Sequence, residues 1–393
     1  MKIIFLTDSN FSNREYERFG FYEMLNEKIE VRLIDFRKLR REQDISEESF
    51  EKDGHDLRIK RYIILSSSDL DKIAHEFFGA FVIDNRSGTY QQYTAFWLKG
   101  LGAHIVQLDQ GLLPTSLWKP SIFDLIVMSK NTFLNYGLLS LITKIFWYSY
   151  NRFKINNLSN ISSNHYDIKV CSGAISKCPS EKFEIRSHAF DYDIYLQQKN
   201  SNNIQDIGDY AVFLDSGIVD HPDSKRLSST PAETDKTYYP ALRLFFDDFE
   251  NKMGIRVIIA IHPRILISKE IIKKFGDREV VLQNTSRLVK SSKMVIAHNS
   301  TSINFAVLWR IPLLIITTTL IDRVDYEITR SIECIFKTKR ININKSYKDK
   351  DYTKISKSVM SQYDYYKENL IKIKNSPKDS SANILIKSLK KYV

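Results

Sequence analysis

The chain has little cysteine: Cys171, Cys178 and Cys334 are the only three in 393 residues. None of them shows the CxxC spacing of a redox pair or the spacing of a metal-binding set. That excludes a disulfide-stapled scaffold and a zinc module, and points to a reducing, cytoplasmic setting. Long apolar runs are also missing. The opening MKIIFLTDSN turns polar too early to form a signal-peptide core. The stretch FLNYGLLSLITKIFWYSYNRFKI (133–155) is interrupted by Lys144 and several polar residues, which argues against a membrane span. Its aromatic residues, followed by Arg152 and Lys154, fit either a helix lying on an anionic membrane surface or a buried amphipathic helix. The chain carries a net charge of +11, yet it has no arginine-rich arm, zinc spacing or RNP-like aromatic block. Nucleic acid is therefore not the expected partner, and the charge suits an anionic small molecule or lipid. There is no short-period repeat and no low-complexity tract.

What is present is the composition of a folded protein, 43% hydrophobic and 27% charged, in a chain long enough for two domains. The first half alternates short apolar strands (2–6, 30–35, 61–65, 80–84, 104–108, 124–128) with helical patterns such as 89–101, which ends at Gly102. The polar stretch 199–209 then breaks the pattern. Beyond it the alternation resumes: strand 210–214, helix 238–252, strand 256–261, helix 268–275, strand 279–282, helix 285–291, strand 294–297, helix 302–309 and strand 312–317. Past residue 350 the sequence reads as Lys-rich helices. Strands separated by helices predict parallel sheets covered on both faces. The expected fold class is α/β, with two doubly wound units facing a cleft: residues 1–200, and residues 201–393 including the C-terminal helices.

In such sheets ligands bind beyond the carboxyl ends of the strands. In the second unit those ends are polar. LDSGIVDHPD follows 210–214, HPR follows 256–261, and HNSTS follows 294–297. His262 and Arg264 can donate to a phosphate. Asn299, Ser300, Thr301 and Ser302 stand at a strand-to-helix turn, where they are either a helix cap or a phosphate clamp. Asp215 would repel a phosphate, so its useful place is at the sugar end, as a general base or as a nucleophile. In the first unit the strand-end residues Arg86, Tyr90 and Asp109 are candidates for contact with an acceptor sugar, or loop anchors.

The blocks VFLDSGIVDHPD, YYPALRLFFDDFENKMGIRVIIAIHPR and FGDREVVLQNTSRLVKSSKMVIAHNSTSINFAVL, with AFDYDIYL at 189–196, resemble those of bacterial surface-polysaccharide glycosyltransferases. Among these they are most similar to the β-Kdo transferases of O-antigen and capsule assembly; Kdo is 3-deoxy-manno-octulosonic acid. A more distant similarity is to bacterial sialyltransferases. The resemblance is strongest over 185–318. It implies a GT-B fold, a CMP-activated 3-deoxy-ulosonic acid as donor and a glycan acceptor that can be lipid-linked. It also implies a reaction with no cofactor and no nucleotide-bound metal. His262 with Ser300 and Thr301 would hold the CMP phosphate, and Asp215 would be the carboxylate near the anomeric carbon, with Asp223 as its rival. DYD at 191–193, in an alternating aromatic context like that of a strand edge, reads as structural or hinge-lining rather than as a metal-binding triplet. Sialic, legionaminic or pseudaminic acid, a UDP-sugar, or a non-catalytic glycan-binding module remain open alternatives.

Overall fold

A computed structural model describes residues 1–8, 11, 13–37, 58–86, 90–111, 166–176, 182–199, 209–220, 233–263, 265, 267–321, 323–345 and 347–392. The expected strand 124–128, the stretch 133–155 and most of the polar break at 199–209 lie outside these residues.

The chain forms two compact units. In the first, seven strands make one sheet: β1 (Lys2–Thr7), β2 (Glu30–Asp35), β3 (Lys60–Ile63), β4 (Phe81–Asp84), β5 (His104–Asp109), β6 (Ile168–Cys171) and β7 (Phe183–Arg186). All are parallel, in the order β3-β2-β1-β4-β5-β6-β7. Successive side chains of a strand point to opposite faces. Accordingly Ile3 and Phe5 enter one core cluster, and Ile4 and Leu6 enter another. Both faces are covered, as the apolar runs required.

In the second unit six parallel strands follow: β8 (Tyr210–Leu214), β9 (Arg256–Ala260), β10 (Val280–Val281), β11 (Met294–Ala297), β12 (Leu313–Thr317) and β13 (Ile341–Asn342). Their order is β10-β9-β8-β11-β12-β13. The helix Asp235–Met253 buries Tyr238, Leu242, Phe245, Phe246 and Phe249 against this sheet and ends at Gly254, whose φ of 65° suits glycine. It starts three residues before the predicted 238. The Thr237 hydroxyl accepts from Thr234 N–H at 3.0 Å, which fixes the first turn ahead of Pro240.

Two expectations are corrected, and two strands are added to those expected. DYD at 191–193 is not a strand edge, because it lies in the helix Phe190–Lys199, where Asp191 accepts from the Asn304 carboxamide at 2.8 Å. Strands β6 and β7 were not foreseen; IKVC and FEIR are short and interleaved with charge. The last helix, Ser381–Tyr392, belongs to the first unit, not the second. Its Ile384, Leu385, Ile386 and Leu389 complete the cluster around Phe5 and Phe81. Gly20, at φ 70°, permits this docking, since a Cβ there would collide with Ala382.

Candidate functional site

All strands of the second sheet are parallel, so their carboxyl ends share one edge. The strand order places the topological switch point between β8 and β11, the position where open α/β sheets bind ligands. Leu214 pairs with Ala260 on one side and with Ala297 on the other. Asp215 therefore stands between the turn that follows β9 and the turn that follows β11.

Asp215 is 5% exposed. Its Oδ1 accepts from Gly217 N–H at 3.0 Å and its Oδ2 from His262 N–H at 3.4 Å. No cation touches it among the described residues. Burial pushes its carboxyl up to about 6, against the pull of the two N–H groups, and the nearby Asp220 adds to the rise. A carboxylate with that value is charged at pH 7 and still able to take a proton, which suits a general base. Asp220 differs. It is held by Lys274 at 2.8 Å and by the Tyr239 hydroxyl at 2.6 Å, as a fixed structural pair. His221, Asp223 and Arg264 lie outside the described residues.

His262 is half-buried at the head of a turn closed by Ile265 N–H to its carbonyl at 2.9 Å. Beyond β11, His298 is fully buried, and its Nε2 meets the Tyr238 hydroxyl at 2.9 Å. Burial drives its pKa down to about 3, so it is neutral and adds no charge to the edge. The helix Ile303–Trp309 is entered through a tight turn. Ile303 N–H bonds the Ser300 carbonyl at 3.2 Å, and Ser302 N–H bonds the Ser300 hydroxyl at 3.2 Å. The N-cap position, Ser302, makes no side-chain cap bond; the Ser300 hydroxyl, three residues ahead of the first helical residue, pins the turn instead, and Thr301 is exposed beside it. No partner among the described residues accepts from the N–H groups of Ser300 and Thr301. Asn299 instead gives its Nδ2 to the carboxylate of Asp325.

Sequence reasoning missed the second layer. Tyr238 holds His298, and the buried Glu233 ties the hydroxyls of Thr237 and Thr318 and the backbone of Leu320 into one edge. An aromatic hydroxyl on the core-facing side of a helix was the available signal for Tyr238.

In the first unit the corresponding candidates are anchored. Arg86 grips Asp84 through Nε (2.9 Å) and Nη2 (2.6 Å), with its guanidinium 4.3 Å from the Phe36 ring centre. Asp109 is bound by Lys169 at 2.7 Å and by the Ser176 hydroxyl at 2.8 Å. Tyr90 begins the helix Tyr90–Gly100, and its side chain is outside the described set.

No protein-family model matches the chain, and no curated protein does. Solved structures match over nearly its whole length. The wall teichoic acid polymerase TagF has a TM-score of 0.54 at 10% identity, covering 99% of this chain and 88% of that one. The spinosyn forosaminyltransferase SpnP has a TM-score of 0.52 at 11% identity, covering 100% and 99%. A Listeria monocytogenes protein assigned as a UDP-N-acetylglucosamine 2-epimerase reaches 0.50 at 11% identity, covering 100% and 96%. At such identities the likeness defines the fold, which is GT-B-like with two Rossmann-like domains. A fold that serves both transferases and an epimerase leaves the reaction to be argued from the site.

Proposed function

We propose that this protein is a glycosyltransferase that moves a 3-deoxy-ulosonic acid, Kdo, from its CMP donor to a glycan acceptor in surface-polysaccharide synthesis. The observation that carries the reading is Asp215: a buried carboxylate with no cationic partner among the described residues, at the switch point, between the His262 and Ser300 turns. The resemblance of the flanking sequence supplies the donor class, and the transferases among the fold neighbours support a transfer reaction without bearing on the donor.

In this reading the unengaged N–H groups of Ser300 and Thr301, their hydroxyls and the His262–Arg264 turn hold the CMP phosphate and take up charge as it leaves. The bond that breaks joins the anomeric carbon to a phosphate oxygen. Asp215 either removes the proton of the acceptor hydroxyl, giving inversion, or attacks the anomeric carbon, giving retention through two displacements. The switch point carries the donor, and the first unit is assigned the acceptor, with Arg86 and Tyr90 near its own switch point and Asp109 on the same edge. The phosphate contacts require neither a metal nor a cofactor. The basic charge and the stretch 133–155 support work at the cytoplasmic face of an anionic membrane. No helix of the described residues is long and apolar enough to cross one.

The test is CMP release from CMP-Kdo with and without acceptor, run beside CMP-sialic, CMP-legionaminic and CMP-pseudaminic acids and UDP-sugars. Acceptor-stimulated release from CMP-Kdo is expected. Release from another donor alone would replace the sugar, and binding without release from any donor would leave a glycan-binding module.

A further inference from the structure

Two buried side-chain oxygens at the switch point have no partner among the described residues. They are the hydroxyl oxygen of Ser216 and the Oδ1 of Asn299, both on half-buried residues. The register sets them at matching positions beyond neighbouring strands: Leu214 pairs with Ala297, so Ser216 and Asn299 each stand two residues past that last paired position. A buried polar atom left without a hydrogen bond is destabilising, and two of them at one ligand-binding position call for an occupant.

The chemistry of that occupant follows from Asp325. An ionised carboxylate only accepts, so the Asn299 atom facing it is the amide nitrogen, and the atom left over is an acceptor. A phosphate also only accepts and cannot satisfy Oδ1. A hydroxyl can do so, because it donates to Asn299 Oδ1 and accepts from the Ser216 O–H. Rotation about χ1 presents the Ser216 oxygen without moving the backbone. We infer that Ser216 and Asn299 read a hydroxyl group of the bound sugar nucleotide, with Asp325 holding the Asn299 carboxamide in the reading orientation. This rests on the reading above that a sugar nucleotide occupies the crevice. It moves the Asn299 side chain from the phosphate to a sugar hydroxyl.

Calorimetric titration of the full chain with CMP, 2′-deoxy-CMP, 3′-deoxy-CMP and CMP-Kdo tests it, with thermal melts confirming that each variant folds. Ser216→Ala should bind roughly tenfold more weakly to ligands that carry the read hydroxyl, and as wild type to the one that lacks it. Loss on CMP that spares one deoxy analogue places the hydroxyl on the ribose. Loss on CMP-Kdo alone places it on the transferred sugar. The double exchange Asn299→Asp with Asp325→Asn keeps both their mutual bond and an acceptor at position 299, so CMP affinity should stay within about threefold. A fall of roughly a hundredfold in the exchange variant would mean that position 299 faces the phosphate, and would overturn the inference. Equal effects of Ser216→Ala on every ligand, or none, would mean that the two atoms hold only a water. In that case the proposed function stands. If the wild type binds no cytidine nucleotide, both readings fall.

Discussion

Asp35, Asp84 and Asp109 end strands of the first sheet, and Asp215 follows a strand of the second. The four share a residue type and a place in the fold, but their partners separate them. Asp35 is buried, which works to raise its pKa, yet hydrogen bonds from Arg37 and Arg61 hold it below the ordinary carboxylate value. Asp84 is gripped by Arg86, and Asp109 by Lys169. Among the described residues Asp215 is met by two backbone N–H groups and no cation, and its pKa rises. Burial beside a guanidinium makes a structural pair, whereas burial beside amides alone makes a carboxylate whose charge is poised to change.

The largest effect expected from breaking this contrast is on the structural side. Asp35→Ala removes the acceptor that Arg37, 1% exposed, and Arg61 share, and should cost about 3–5 kcal/mol in denaturant unfolding. Asp215→Asn, by contrast, should leave the fold intact and lower turnover by roughly a hundredfold or more, with little change in CMP affinity. If it keeps near-normal turnover and Asp223→Asn abolishes it, the catalytic role passes to Asp223. Activity of the wild type should decline as pH falls below about 6, where the Asp215 carboxyl takes up its proton. Smaller again is the effect at the phosphate turn. Ser300→Ala with Thr301→Val should weaken CMP binding by about 1–3 kcal/mol by calorimetry. The lost bond from Ser302 N–H to the Ser300 hydroxyl should cost about 1 kcal/mol of stability. Unchanged CMP affinity would leave Ser300 with a structural role in the turn alone.

The parts of this contrast legible in the sequence were those set by local pattern. Strands such as EVRLID and YAVFL, bounded by polar turns, mark the two sheets, and the strand-end rule assigns Asp215, His262 and Ser300 to one edge from the pattern alone. Partners distant in sequence were not legible. Tyr238 and His298 are 60 positions apart and Glu233 and Thr318 are 85 apart, and nothing in either neighbourhood announces the pairing. The Ser381–Tyr392 helix returns to the first unit because its apolar face fits beside Gly20, a match of shape that periodicity does not encode. Arg86 and Asp109 showed the same limit from the other side. Strand-end position made them candidates, and only the structure shows the ion pairs that occupy them.

The central claim is that Asp215 is buried without a charge partner, and the pH dependence of stability tests it most directly. A carboxyl with a raised folded-state pKa holds its proton in the native protein after the unfolded chain has released its own. Native stability should therefore fall as pH rises from about 4 through about 6, by up to about 3 kcal/mol. The neutral His298 works the other way, losing stability as pH falls below about 6.5, so the wild-type curve alone mixes the two. Subtracting the curve of Asp215→Asn isolates the carboxyl, since His298 is common to both proteins. The account predicts that the Asn variant gains on the wild type as pH rises from 4 to 6, and that the difference then stays level to pH 8. A difference that is flat throughout, or that grows in favour of the wild type as pH rises, would show that Asp215 is solvated or ion-paired and would contradict the account.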